Sequence, residues 1–94
     1  EKKVKDKVVA ILKAYEAYYF YPVTGGYGAS GVPDIVGCHK EKFFAIECKA
    51  GKNIPTALQE RNMQKIRESG GIAIVVNEDN IKDVELMLDK LEGD

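Results

Sequence analysis

The sequence predicts an α/β fold, a mixed β-sheet flanked by helices, and two observations support this prediction. Segments with helical periodicity alternate with short β-branched or aromatic segments in the order αβββαβα. Two strands are joined by a short polar link, which favours an antiparallel hairpin, and a strand–helix–strand unit follows, which favours parallel pairing. The 94 residues are expected to form one domain, residues 1–94.

The first predicted element is an amphipathic helix over residues 2–16, in which apolar side chains recur at helical spacing and lysines occupy the other face. The aromatic residues Tyr18–Tyr21 predict a strand that Pro22 ends, and residues 24–31 form a glycine-rich loop. The aromatic side chains exceed what so small a core needs. They either pack as an ordinary strand under the first helix or leave an apolar patch for a second subunit.

Two strands are predicted next, at Asp34–Cys38 and from Phe43 to about Lys49, joined by the polar link His39–Lys42. In the second strand both alternating sets of side chains are largely apolar, which is typical of a central strand covered on both faces. The link contains no strong turn residue, so the hairpin register stays open. His39 is expected to be an exposed turn residue.

A second helix, a strand and a third helix complete the chain. Thr56 suits the N-cap of a helix that runs to the glycine pair Gly70–Gly71, and Thr56 and Gln59 have the spacing of a capping box. The β-branched run Ile72–Val76 predicts a short buried strand. A C-terminal helix is predicted over residues 79–91.

The composition narrows the class of protein. A net charge of −1 and a pI of about 5.9 argue against binding nucleic acid by bulk charge alone, so such a partner requires a local basic face or a metal ion. No apolar run approaches the roughly 20 residues that span a bilayer, and we expect a cytoplasmic protein with no membrane partner. Cys38 and Cys48 are expected to be buried free thiols, and a structural zinc site is not expected.

Three polar side chains interrupt the apolar strands. Glu47 and Lys49 lie two residues apart near a strand end and therefore point to the same face. If the hairpin is centred so that Val36 opposes Ala45, Asp34 lies opposite Glu47, with Cβ atoms about 5 Å apart. Two such carboxylates repel each other unless a hard divalent cation lies between them. A one-residue bulge in the turn would abolish this geometry.

An acid pair with a neighbouring lysine suits the hydrolysis of a phosphodiester bond. A Mg²⁺ or Mn²⁺ ion polarises the phosphate and lowers the pKa of a bound water, and a lysine orients that water or stabilises charge on the phosphate. On spacing alone, an equally good interpretation is a surface pair of Glu47 and Lys49 at a strand end, with Asp34 in a turn.

Two motifs carry a family resemblance. The segment Gly31–Gly37 (GVPDIVG) followed by Ala45–Lys49 (AIECK), with Gln59 downstream, resembles the PD-(D/E)xK nuclease superfamily. Within it, the sequence is similar to the VRR-NUC (virus-type replication–repair nuclease) domain. The resemblance covers nearly the whole chain and implies a restriction-endonuclease-like αβββαβ core plus a C-terminal helix. It also implies a stand-alone nuclease of the phage or bacterial type, in a bacterial or phage-infected cell.

The resemblance implies a role for each motif residue. Asp34 and Glu47 are expected to bind the metal together with the backbone carbonyl of Cys48, and Lys49 is the catalytic lysine. Gln59 matches the glutamine that follows on the next helix, although its place in the capping box explains it equally well.

Further site residues are weaker expectations. Family members often carry a glutamate near the start of the first helix, and Glu1 is the best-placed match for this additional acid, whereas Glu16 lies at the far end and fits worse. A glycine-rich loop before the first acid lets the backbone approach a nucleic-acid strand, and it is equally well explained as a connector. The expected nucleic-acid-binding residues are Gly26, Tyr27, Gly28, Ser30 and Lys52.

We therefore expect a Mg²⁺- or Mn²⁺-dependent DNA endonuclease that is selective for branched DNA such as the Holliday junction. A homodimer is expected, because two-fold symmetry suits a four-way junction. The alternatives are a non-catalytic nucleic-acid-binding module on the same fold and a small α/β interaction protein.

Overall fold

The computed structural model describes residues 1–23 and 31–93 of the chain. These residues form the seven predicted elements in the predicted order, with each end within three residues of the prediction. Within the described ranges, every helix is too short or too polar to cross a membrane. The elements are α1 (Lys2–Ala14), β1 (Tyr18–Phe20), β2 (Ile35–His39), β3 (Lys42–Cys48), α2 (Ala57–Glu68), β4 (Ile72–Val76) and α3 (Lys82–Gly93).

The four strands form one sheet in the order β1-β2-β3-β4. β2 pairs antiparallel with both β1 and β3, whereas β3 and β4 pair in parallel and are connected through α2. The predicted mixed sheet flanked by helices is confirmed. β3 lies between two neighbours and carries Ala45–Cys48 of the motif AIECK into the centre of the molecule, and Lys49 follows directly after the strand.

The β2–β3 hairpin has the register on which the site prediction depends. Val36 lies opposite Ala45, and the pairing continues to Ile35 opposite Ile46. The two turn residues, Lys40 and Glu41, have φ values of 51° and 73°. Positive φ at both positions gives a two-residue turn the twist that matches the flanking strands, so no bulge is needed and the register is preserved.

Apolar side chains form a cluster on each face of the sheet. α1 and α3 pack on one face, where Val8 and Leu88 are buried with Phe44 of β3. α2 packs on the other face, where Met63 is buried with Ala45. Because β3 is covered on both faces from Phe44 to Cys48, the charged side chain of Glu47 is withdrawn from water.

Two predictions about the hairpin end are wrong. His39 is only 5% exposed, its Nε2 lies 2.7 Å from Oε2 of Glu92, and its ring meets the Tyr15 ring edge-on. Cys38 is exposed, since it points to the opposite face beyond the reach of α2, whereas Cys48 is buried as predicted.

Candidate active site

Asp34 lies immediately before β2, and the hairpin register carries it to the position opposite Glu47. Its Oδ2 accepts a hydrogen bond of 2.8 Å from the backbone N–H of Cys48. This bond crosses the hairpin and fixes the Asp34 carboxylate against the end of β3.

Glu47 is the most deeply buried charged group of the site, at 2% exposure. Its Oε2 accepts a hydrogen bond of 2.8 Å from Nε2 of Gln59 and lies 3.4 Å from Nζ of Lys49. Its Oε1 is also buried and has no hydrogen-bond partner among the described residues. An unpartnered carboxylate oxygen in the protein interior is costly, so a ligand for it is expected.

The pKa of Glu47 is raised from 4.5 to about 7. Burial is the largest cause and the negative charge of Asp34 the next, while the Lys49 ammonium lowers the pKa and only partly offsets them. The Glu47 carboxyl therefore holds a proton near neutral pH unless a cation replaces it.

Lys49 extends the chain one residue beyond β3, and its backbone N–H donates a hydrogen bond of 2.9 Å to the carbonyl of Val76. This bond continues the parallel pairing with β4 and holds the Lys49 backbone in an extended position. The side chain is 11% exposed and reaches back along the face of Glu47. The predicted acid–lysine set is thus brought together at one edge of the sheet.

Gln59 performs two tasks that were predicted as alternatives. Its Oε1 accepts a hydrogen bond of 2.8 Å from the backbone N–H of Thr56, and its own N–H donates to the Thr56 hydroxyl, which completes the capping box of α2. Its Nε2 remains free of the cap and donates to Glu47. The cap thereby orients the amide that holds the buried acid.

Gly31 explains why the motif GVPD begins with glycine. Its φ is +88°, and a Cβ at this position would lie 2.5 Å from the carbonyl carbon of Leu58. Only glycine allows this close approach, which brings the segment before Asp34 against the first turn of α2.

A cleft of about 480 Å³ opens beside Asp34 at the start of α1. Glu1, the N-cap residue of α1, lines this cleft together with Lys5 and Tyr21. Nζ of Lys5 lies 4.4 Å from the centre of the Tyr21 ring. Glu16, the less suitable candidate, follows the other end of the helix.

The donor set suits a hard divalent cation. Among residues 1–23 and 31–93, no three His, Cys, Asp or Glu side chains are grouped as a metal site. Asp34 and Glu47 are therefore two carboxylates without a third side chain of these types beside them in the described ranges. The unpartnered Oε1 of Glu47 is an oxygen of the kind that Mg²⁺ and Mn²⁺ bind. Burial raises the pKa of the Cys48 thiol to about 12, so oxygen atoms are the donors available here.

The expected nucleic-acid-binding residues are only partly described. Lys52 is exposed in the turn that follows Lys49. The remaining four expected residues lie outside the described ranges: Gly26, Tyr27, Gly28 and Ser30.

One contact beside the site was not predicted. Glu78, two residues beyond β4, accepts hydrogen bonds from the backbone N–H of Gly51, two residues beyond Lys49. Parallel strands end at the same edge of a sheet, so a polar residue just beyond β4 is the sequence signal for this contact.

A family model described as archaeal Holliday junction resolvase (Hjc) matches residues 20–87, which is most of the chain and includes Asp34, Glu47, Lys49 and Gln59 but not Glu1. This family is part of the PD-(D/E)xK superfamily. The match agrees with the predicted nuclease of branched DNA, while the VRR-NUC resemblance stays a prediction. Comparison with curated proteins gave no significant match.

A solved structure of similar fold is that of Hjc, a Holliday junction resolvase from the archaeal hyperthermophile Archaeoglobus fulgidus, with a TM-score of 0.58 and 23% sequence identity. The similarity covers 83% of this chain and 66% of that chain, so the present chain spans just under two thirds of the length of that resolvase. At this identity the likeness establishes the fold.

Proposed function

The chain belongs to the archaeal Holliday junction resolvase family, and we propose that it is a metal-dependent endonuclease that cleaves DNA at four-way junctions. The observation that carries this proposal is the buried carboxylate of Glu47, which has one oxygen without a partner in the described part of the chain and lies between Asp34 and Lys49. A buried carboxylate of this kind destabilises a protein unless a cation neutralises it. Groups with strongly shifted pKa values are concentrated at functional sites.

The proposed metal ligands are Asp34, Glu47 and the backbone carbonyl of Cys48, and the proposed ion is Mg²⁺ or Mn²⁺. When bound, such an ion supplies a Lewis acid for the phosphate and lowers the pKa of a water molecule. Gln59 holds Oε2 of Glu47 and thereby leaves Oε1 for the ion. The hydrogen bond from Cys48 to Asp34 fixes the second carboxylate before the ion arrives.

Lys49 is proposed as the catalytic lysine. Its ammonium, 3.4 Å from Oε2 of Glu47, stabilises the ionised form of that acid and can donate hydrogen bonds to a phosphate oxygen or to the attacking water. Gln59 is a positioning residue, because it acts through Glu47. Glu1 is proposed as an additional acid, since it lines the cleft beside Asp34.

The DNA strand is proposed to approach across Lys52 and the loop that precedes Asp34. Lys52 is exposed beside the catalytic lysine and supplies a phosphate contact. The loop contributes Gly26, Tyr27, Gly28 and Ser30, with Tyr27 available to stack on a base. The resemblance to the VRR-NUC domain supports the same set of two acids and a lysine. We propose that residues 1–94 form a single nuclease domain. Because the proposed substrate is DNA, we also propose a cytoplasmic location.

A homodimer is proposed as the functional unit. Tyr18 and Phe20 are 69% and 48% exposed, and their pairing with Cys38 and Val36 directs them to the face that α2 covers only in part. A two-fold contact through this apolar surface, on the same face as Asp34 and Glu47, would present two sites to the symmetric strands of one junction.

Cleavage of matched DNA substrates tests the function. Four-way, splayed, flap and linear duplex DNA of the same sequence are incubated with Mg²⁺ and wild-type protein, Lys49→Ala, or the control Lys82→Ala, which changes an exposed lysine of α3. We expect the wild type and the control to cut the four-way junction preferentially, and Lys49→Ala to be slower by about 100-fold or more.

Each other outcome overturns a defined part of the proposal. A wild type that cuts no substrate, or a Lys49→Ala variant that cuts equally well, overturns the nuclease. Junction binding without cleavage identifies a non-catalytic module, and equal cleavage of linear duplex overturns only the junction selectivity. Calorimetry with Mn²⁺ supplies a second readout, since Glu47→Ala should abolish the binding and an interaction protein should not bind the metal at all.

A further inference from the structure

The turn that follows Lys49 is held by a carboxylate from a distant part of the sequence. Oε1 and Oε2 of Glu78 lie 2.9 Å and 3.2 Å from the backbone nitrogen of Gly51 and accept its hydrogen. The two residues are 27 positions apart and are neighbours because β3 and β4 run in parallel and end at the same edge. A charged acceptor makes this bond stronger than a neutral one.

Gly51 is the second residue of a tight turn, Ala50–Asn53. Its φ is +59°, and a hydrogen bond of 3.1 Å from the N–H of Asn53 to the carbonyl of Ala50 closes the turn around it. Glycine loses more conformational freedom than other residues when it is fixed, so this turn is inherently loose. The Glu78 carboxylate restrains it at its second residue.

The turn is the direct continuation of Lys49. The Lys49 backbone is tied to β4 through Val76 on one side, and the Glu78–Gly51 bond ties the next two residues to the segment that follows β4. Hydrogen bonds therefore hold the backbone at Lys49 itself and two residues after it. Lys52, the exposed lysine of the same turn, is carried by the same anchor.

The charges around Glu78 favour its ionised form. Hydrogen bonds from its own N–H and from that of Gly51 lower the pKa of Glu78, as does the positive charge of Lys7 of α1. Together they outweigh the opposing effect of burial on the pKa. At neutral pH the Glu78 side chain is therefore an ionised carboxylate. It is not one of the residues proposed to bind the metal.

We propose that Glu78 is a positioning residue for the cleavage reaction, which fixes the Ala50–Asn53 turn so that Lys49 is held beside Glu47. This inference rests on the proposed nuclease function. Displacement of a catalytic group by about 1 Å can cost about 100-fold in rate, and a looser turn allows such displacement without breaking the fold.

Kinetics of Glu78 variants test the proposal. Glu78→Ala removes the acceptor, Glu78→Gln keeps an amide oxygen that can accept the Gly51 hydrogen, and Glu85→Ala is the control for loss of an exposed acid on α3. We expect Glu78→Ala to lower kcat for the four-way junction about tenfold while KM changes less than about threefold. Glu78→Gln should recover at least half of the wild-type kcat, and Glu85→Ala should match the wild type.

Amide hydrogen exchange at Gly51 provides a readout independent of activity. The amide should lose protection in Glu78→Ala and retain it in Glu78→Gln. If the wild type cleaves and Glu78→Ala has the same kcat, or Glu78→Gln is as slow as Glu78→Ala, the positioning role is overturned while the nuclease stands. If the wild type cleaves nothing, the nuclease is overturned and the positioning role with it, whatever the exchange at Gly51.

Discussion

The buried carboxylate of Glu47 lowers the stability of the folded protein at the position where the proposed function requires it. It lies in an interior strand among apolar side chains, and within residues 1–23 and 31–93 only one of its two oxygens has a protein partner. Gln59 and Lys49 reduce the cost of burial without removing it, since the pKa of the acid is still raised to about 7. The proposed metal ion would offset this cost when bound, and its binding would then be coupled to folding.

The raised pKa predicts how stability depends on pH. An unfolded chain ionises Glu47 near pH 4.5, whereas the folded protein retains the proton to about pH 7, so the folded state binds more protons in this window and stability falls as pH rises through it. Between pH 4 and pH 8, without metal, wild type should lose about 3 kcal/mol of unfolding free energy relative to Glu47→Gln. Urea denaturation of both proteins across this range measures the difference.

Metal supplies the control for that measurement. At pH 8, saturating Mg²⁺ should stabilise the wild type and leave Glu47→Gln nearly unchanged, because the ion binds the ionised acid. Parallel pH dependences of the two proteins would contradict the assignment of the shift to Glu47.

The placement of Asp34 opposite Glu47 was predictable from the sequence, whereas the hydrogen bonds that hold the surrounding residues were not. Side chains alternate along a strand with a period of two, so the register of one hairpin is enough to place Asp34 opposite Glu47. The hydrogen bonds from Gln59 to Glu47 and from Gly51 to Glu78 depend on how α2 and β4 pack against β3, and the spacing of residues within one strand does not predict this packing.

At the scale of elements, the first turn of α2 combines helix capping with the support of the acid. Thr56 and Gln59 satisfy each other's backbone N–H groups, and the bond from the Thr56 backbone N–H to Oε1 of Gln59 fixes the Gln59 side chain in the rotamer that reaches Glu47. The same element therefore contributes to stability and to the site, and substitutions can separate the two contributions.

Thr56→Ala and Gln59→Ala should have similar effects on stability and different effects on cleavage. Each removes one side of the capping box, which costs about 1 kcal/mol. Thr56→Ala leaves the Gln59 amide able to reach Glu47, so junction cleavage should stay within about threefold of wild type, whereas Gln59→Ala should lower it about tenfold or more. Urea denaturation and single-turnover cleavage measure the two effects, and equal cleavage by both variants would refute the role of Gln59.

Elements themselves were predictable because each has a clear period and clear ends, such as Thr56 before α2 and the glycine pair after it. His39 shows where local reasoning fails. A polar residue beside a turn is ordinarily exposed, and here α3 covers it and supplies Glu92 as a partner 53 positions away. Burial at an element's end is decided by a neighbour that the local sequence does not reveal.

At the scale of the whole molecule, the two faces of the sheet are covered unequally. Among the described residues, two helices cover one face and one helix covers the other, where Cys38 of β2 and Phe43 of β3 remain exposed. Sequence periodicity identifies apolar side chains and does not tell whether a helix or a second subunit covers them. The sequence therefore does not decide between core packing and an interface for the aromatic residues, and in the structure Tyr19 packs on the core whereas Tyr18 and Phe20 are exposed.

The proposed dimer predicts that the exposed part of this face controls the state of association. Replacing Tyr18 and Phe20 together by serine removes two exposed rings that lie 6.2 Å apart, without altering the buried clusters. Sedimentation equilibrium should give a mass of two chains for the wild type and close to one chain of 10.4 kDa for the double variant. Leu86→Ser, which removes an exposed apolar side chain from α3, should remain dimeric.

Because a monomer presents one site to a junction, the double variant should also leave nicked junctions where the wild type cuts both symmetric strands. A monomeric wild type, or a double variant that stays dimeric, would refute this interface.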